Sequence, residues 1–242
     1  MARAILVNRS MTSGVVSLLS LATLCVASPS DAAIINGGFE TGNFTGWTTI
    51  GNTSIKTAGF GSGPTQENYE ALVTNRSGSI SAPNLETFLG VEAGSLNTLG
   101  NGNVTNGSAI KQTFTANAGD VLTFDGNFLK NKEPDPIFND FAFVSLNSLS
   151  TLASPLTSSL VPFSAFDQQT GFKPFAFTIP TSGTYTLGLG VSNVTDTVGD
   201  SGLLVDGVRL EAVPEPSSVL GILALAVGAA SSRLLRKHKA AS

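Results

Sequence analysis

The acids and aromatics of this chain set the limits on its chemistry. Asp206 stands in Leu204-Val205-Asp206-Gly207-Val208-Arg209-Leu210. The alternation there predicts a strand, in which Asp206 shares a face with Leu204, Val208 and Leu210. A carboxylate on an apolar face must be paired, hydrogen-bonded or bound to a metal. Two readings fit it: ligation of a cation, or the capping of a turn with Gly207. Glu40 sits in the same way beside Phe39. Glu133, Asp135 and Asp140 form a second acidic group, broken by Pro134 and Pro136. It reads as a solvated loop or as a loop that binds calcium or faces a ligand. Trp47 and Tyr69 offer rings for the apolar face of a pyranose, although a lone Trp in a domain is more often a core residue.

Catalysis finds little to work with. The one histidine, His238, and the one cysteine, Cys25, lie in the two terminal segments. No Ser-His-Asp arrangement, His-metal site, disulfide or cysteine nucleophile can form between them. A glycosidase needs only two carboxylates at roughly 5–10 Å. Fifteen acids lie in residues 33–212, and nothing in their spacing selects a pair. No glycine-rich phosphate loop joins a strand to a helix, and no basic-aromatic stripe is present.

Period-two alternation supplies the frame for these side chains. Ile110, Gln112 and Phe114 share a face, as do Leu122, Phe124 and Phe128. Phe175, Phe177 and Ile179 alternate with Ala176 and Thr178, and Tyr185, Leu187, Leu189 and Val191 with small or polar residues. Phe141 to Leu146 is apolar on both faces, which predicts a central strand. Turn signals stand at Ala118-Gly119-Asp120, Thr181-Ser182-Gly183 and Asp206-Gly207. No amphipathic helical stretch of ten residues is found. Gly59 to Asn68 and Gly90 to Gly107 read as long surface loops, where binding residues usually sit. The expectation is an all-β domain, a jelly-roll β-sandwich spanning 33–212.

The ends differ from the middle. Arg3 and Arg9 precede the apolar run Gly14 to Val26, and Ser30-Asp31-Ala32 offers small residues for cleavage. Residues 1–32 read as a secretory signal peptide. At the other end the apolar run Val219 to Ala230 carries no charge and is followed by Arg233, Arg236, Lys237 and Lys239. Counted from Ser217 through Leu235, it reads as a transmembrane helix with a cytoplasmic basic end. The tail therefore spans 213–242. Six of the thirteen bases lie in these two ends. Residues 33–212 keep seven bases against fifteen acids, a net charge of −8. Such a surface repels phosphate backbones and disfavours nucleic acid, and it tolerates calcium.

Val213-Pro214-Glu215-Pro216-Ser217, with the helix and basic stop behind it, closely resembles the PEP-CTERM sorting signal of bacterial surface proteins. The resemblance implies recognition of Val213, Pro214, Glu215 and Pro216 by an exosortase, a membrane cysteine peptidase, and an exported, surface or matrix location. Asn36-Gly37-Gly38-Phe39-Glu40, followed by Gly42 and Gly46-Trp47, resembles the first strand of jelly-roll carbohydrate-binding modules. Leu204 to Leu210 is similar to their last strand. The likeness implies that these strands are neighbours, which makes Glu40 and Asp206 candidate ligands of a structural Ca2+. It also implies a non-catalytic protein that binds carbohydrate or extracellular polymer, with Trp47, Tyr69 and Asp140 as ligand contacts. A structural matrix protein without a small ligand and a glycoside hydrolase are the alternatives.

Overall fold

In the computed structural model the described residues are 34–99, 102–131 and 139–213. The expected signal peptide, Pro214 to Pro216 of the sorting motif, the C-terminal helix, Glu133 and Asp135 lie outside them. Val213 is half exposed, and its N–H donates to Asp120 Oδ1 at 3.2 Å. Among the described residues no helix is long and apolar enough to cross a membrane.

The strands are β1 (Thr48–Ile50), β2 (Asn52–Lys56), β3 (Glu70–Thr74), β4 (Ile80–Ser81), β5 (Val104–Ala116), β6 (Val121–Lys130) and β7 (Phe141–Ser145). They continue with β8 (Leu149–Ala153), β9 (Val161–Pro162), β10 (Gln168–Gln169), β11 (Lys173–Thr178), β12 (Gly183–Val194) and β13 (Ser201–Glu211). One sheet has the order β1-β5-β12-β7-β8, with β4 also on β5. The other runs β2-β3-β13-β6-β10-β9, with β11 also on β6. All the pairings are antiparallel. Two sheets face each other across one apolar core, the architecture of a β-sandwich.

The alternation places that core. Ile110 and Phe114 from β5, Leu122, Phe124 and Phe128 from β6, and Leu187, Leu189 and Val191 from β12 meet Ala71, Val73, Leu203 and Val205 from β3 and β13. Gln112 lies on the inward face of β5, as its position between Ile110 and Phe114 requires, and is buried. Its side chain is satisfied by Ile35, accepting from the N–H at 2.7 Å and donating to the carbonyl at 2.9 Å. β7 is buried along its whole length and flanked by β12 and β8, the central position its composition implies.

Both faces of β7 are covered because the first sheet also carries a helix. Helix α1 (Ala82–Leu89) packs Leu85 and Leu89 against Phe141, Phe143, Ala109 and Val194. Pro83 lies in its first turn and Gly90, at φ 73°, ends it. With eight residues it is too short to leave a helical period in the sequence. The second sheet is covered on its outside by a separate cluster: Leu72, Leu129, Phe166 and Leu204, joined by Phe60, Phe163 and Phe172.

Three expectations are corrected. Residues 36–47 do not form a first strand. They make successive turns, with Asn36 at φ 51° and Phe39 at φ 59°, and the first strand begins at Thr48. The Asn36 side chain holds these turns by bonds to Asn43, Thr45 and Thr41. Second, Asp206-Gly207 is not a turn between strands but a bulge inside β13. Asp206 pairs with Asp125 and Arg209 with Thr123, so β13 carries one extra residue. The bulge reverses the side-chain alternation. Asp206 faces outward with Leu204, whereas Val208 and Leu210 join the inner core. Third, the stretch from Gly90 to Gly107 is not all loop. It contains a 3-10 turn at Ser95–Thr98 and the start of β5.

Candidate functional site

The two acids singled out from sequence both bond the loop that runs from Gly59 to Asn68. Gly38 lies between them. A Cβ added there would stand 3.6 Å from Glu40 Cγ and 3.8 Å from Asp206 Oδ1. Asp206 projects from the bulge, where Gly207 takes φ 60° and donates to Asp206 Oδ1 at 2.6 Å. Asp206 Oδ2 accepts the N–H of Thr65 at 2.7 Å, the Thr65 hydroxyl at 2.9 Å and the N–H of Gln66 at 2.8 Å. Glu40 Oε1 accepts the N–H groups of Asn68 and Tyr69, each at 3.0 Å. The loop from Gly59 to Asn68 is thus held by two carboxylates, Asp206 of β13 and Glu40 of the turns before β1. Burial raises the Asp206 carboxyl above its usual range, and the donors from Gln66, Thr65 and Gly207 oppose that shift.

Beneath this loop lies a third acid that sequence reasoning missed. Glu70 begins β3 on the same outward face as Leu72 and is wholly buried. Neither of its carboxyl oxygens has a hydrogen-bond partner among the described residues. Its cross-strand partner is Lys56, whose Nζ lies over the Phe60 ring, 5.3 Å from the centroid. Burial first, and then the Asp206 charge, push the Glu70 carboxyl up to about 7. The signal was present in Tyr69-Glu70-Ala71-Leu72-Val73, a carboxylate in an apolar strand like Asp206. Among the described residues no three acidic, His or Cys side chains form a ready metal cage.

Asp140 belongs to a different place. It is buried and accepts from Asn75 Nδ2 at 3.1 Å, the Ser201 hydroxyl at 2.8 Å and the Val194 N–H at 3.1 Å. Lys130 Nζ stands 4.0 Å away. Burial raises its carboxyl, and Lys130 and the hydrogen bonds oppose the shift. Asn75 also bonds Asn193, which donates to Asn106 at 2.7 Å. These residues come from both sheets, so the network ties the sheets together at one end. Asp140 does not reach a surface where a ligand could touch it.

The aromatic candidates are also occupied. Trp47 is 7% exposed, its ring 5.4 Å from that of Phe39 and its Nε1–H bonded to the Asn36 carbonyl at 3.2 Å. Tyr69 is partly buried against the core and packs beside Gly42. The Trp47 ring therefore presents no open face to a sugar, whereas part of Tyr69 remains at the surface.

An open cleft occurs elsewhere, between the end of β8 and strands β6, β11 and β13 of the second sheet. It is a groove of about 410 Å³. Its floor is Gly126, Phe128, Leu203 and Phe175. Phe175 stacks on buried Phe124, with centroids 5.2 Å apart and planes at 23°. The wall after β8 offers the hydroxyls of Thr157, Ser158 and Ser159, and Thr170 stands opposite. Lys173 shares the face of Phe175 on β11 and contributes a charge. An apolar floor with polar groups on the rim is the usual make-up of a small-ligand site. Sequence reasoning recognised Phe175 as a strand residue. It could not see that β11, the end of β8 and the segment after it come together around an opening.

No family model matches the chain, and no curated protein matches it. Among solved structures it is similar to the carbohydrate-binding module TmCBM61 in complex with β-1,4-galactotriose. That likeness has 15% identity over 76% of this chain and 100% of that one, with a TM-score of 0.43. A mannan-recognising module, TmCBM27, is similar at 12% identity over 73% of this chain and 92% of that one, with a TM-score of 0.37. The K2 cleaved adhesin domain of Lys-gingipain is similar at 9% identity over 69% of this chain and 89% of that one, with a TM-score of 0.36.

Proposed function

We propose that this protein is an exported, surface-directed jelly-roll sandwich that binds carbohydrate without catalysis. The observation that carries the reading is the groove floored by Phe128, Phe175 and Leu203 and rimmed by Thr157, Ser158 and Ser159. The apolar face of a sugar ring packs on such a floor, and its hydroxyls meet the rim. The domain is delivered by its N-terminal signal. Its tail, from Val213 through Pro216 to the basic end, directs it to an exosortase and the membrane, and from there to the outer surface or extracellular matrix.

A structural Ca2+ belongs to this reading. Glu70 is the supporting observation, since a buried carboxyl with two unpartnered oxygens beside Asp206 has an unmet need for positive charge. Glu40 and Asp206 are the residues that would hold the ion, with backbone carbonyls completing its oxygen shell. Bound there, it would add positive charge near Glu70 and fasten the Gly59–Asn68 loop.

The burial of Trp47 favours a second reading, a structural matrix protein that assembles without a small ligand. The third, a glycoside hydrolase, would need two acids converging in a cleft. Glu70 and Asp206 converge, but both are fully buried and neither lines the groove.

Retention of the full chain on a panel of insoluble and envelope-derived polysaccharides, with calcium and with EDTA, tests the proposal. Retention on a polymer supports the binding module. Passage through every polymer, together with self-assembly, supports the matrix protein.

A further inference from the structure

The groove has a composition that narrows its ligand, an inference that rests on the carbohydrate-binding reading. Neutral sugars are ordinarily held by acceptors that take two adjacent hydroxyls at once, which is work for a carboxylate or a side-chain amide. The groove lining has neither. Its wall offers hydroxyls, and part of that capacity is already used. The Thr170 hydroxyl accepts the Phe128 N–H at 2.9 Å, and Thr157 shares a bond with Ser154 at 3.0 Å.

The charge is the opposite of what the rest of the domain would suggest. Residues 33–212 carry a net charge of −8. The groove lining holds a single charged residue, and it is a cation, Lys173. Lys173 is exposed on β11, opposite Gly126, and no ion pair holds it among the described residues. Its neighbour across the sheet has no side chain with which to compete. A compact ammonium on a flexible stem suits a tetrahedral or planar anion as a point charge. An apolar floor beside one cation therefore matches a ligand with an apolar ring face and an anionic substituent.

We propose that the groove binds an anionic sugar unit, with the ring against Phe175 and the anion on Lys173. Carboxylate and sulfate substituents share this chemistry. The local positive charge also keeps such a ligand at the groove, since the surrounding acidic surface repels it elsewhere.

Calorimetric titration of the full chain with three oligosaccharides tests this: an oligogalacturonate, a sulfated galactan fragment, and a neutral cello-oligosaccharide. The expected result is binding of one or both anionic ligands at least tenfold tighter than the neutral one, weakening as salt is raised. The arm that binds identifies carboxylate or sulfate as the anion. Lys173→Gln lowers that affinity by roughly tenfold and flattens its salt dependence. Lys173 is exposed, so circular dichroism should show the variant folded. A neutral ligand bound as tightly as the anionic ones overturns the inference and leaves the carbohydrate-binding reading in place. So does anionic binding that Lys173→Gln leaves unchanged. No binding of any of the three, together with no retention on the polysaccharide panel, overturns both.

Discussion

Asp206 and Gln66 are 140 residues apart in sequence and 2.8 Å apart in the fold, joined by a hydrogen bond from the Gln66 N–H to the Asp206 carboxylate. With the two bonds from Thr65 it makes Asp206 the anchor of the loop over the second sheet. Removing the carboxylate leaves several polar groups without a partner. A hydrogen bond to a charged group contributes about 1.5–3 kcal/mol, and these bonds are not additive. Asp206→Ala should therefore lower the unfolding free energy by about 3 kcal/mol in denaturant titration. A Ca2+-dependent melting temperature in the parent that vanishes in Asp206→Ala supports the structural ion. Melting temperatures independent of calcium in both proteins would sink it.

Glu70 gives the stability a pH dependence of definite sign. Burial, and then the Asp206 charge, push its carboxyl in the folded protein from the ordinary 4.5 up to about 7. Between those values the folded state holds a proton that the unfolded state has lost. Stability contributed by this group is therefore full below about pH 4.5, falls as pH rises toward 7, and is level above. The shift corresponds to at most about 3 kcal/mol. In EDTA, Glu70→Gln should stabilise the protein at pH 8 by up to that amount and change little at pH 4. Equal effects at the two pH values would show that the burial of Glu70 is not what the titration reads.

Asp140 should behave as a structural residue. Asp140→Ala leaves Lys130, Asn75 and Ser201 around a lost charge inside the sandwich. Breaking a buried charged network in this way costs about 3–5 kcal/mol. The expected outcome is a large fall in unfolding free energy. A variant of parental stability that had lost polysaccharide retention would instead return Asp140 to the ligand site.

Trp47 separates packing from binding. Trp47→Ala removes a ring buried against Phe39 and should cost about 3–5 kcal/mol. The more conservative Trp47→Phe should keep the fold and leave polysaccharide retention unchanged. Phe175→Ala should act in the reverse way, with the larger effect on retention. Loss of retention in folded Trp47→Phe would move the sugar platform back to Trp47.

Much of the sandwich was legible because a strand between two layers must alternate. Ile110, Phe114, Leu187 and Leu189 reached the core by that rule alone. Helix α1 was not legible, because eight residues opened by Ala82-Pro83 carry too little of a 3.6-residue period. The face of Val208 was misread because a one-residue bulge is invisible in a pattern of period two. Glu70 satisfied the same buried-acid argument as Asp206, yet its surroundings come from a loop whose path no local rule supplies.

The class of fold, the acidic middle between two basic ends, and the lack of histidine or cysteine chemistry in the domain could all be read along the chain. Those properties follow from composition and short-range periodicity. Which acids are anchors, that Trp47 is core, and where the surface opens into a groove came from the three-dimensional packing. Each of those depends on distant segments arriving at one place: Thr65 at Asp206, the core strands around Trp47, and β11 beside the end of β8.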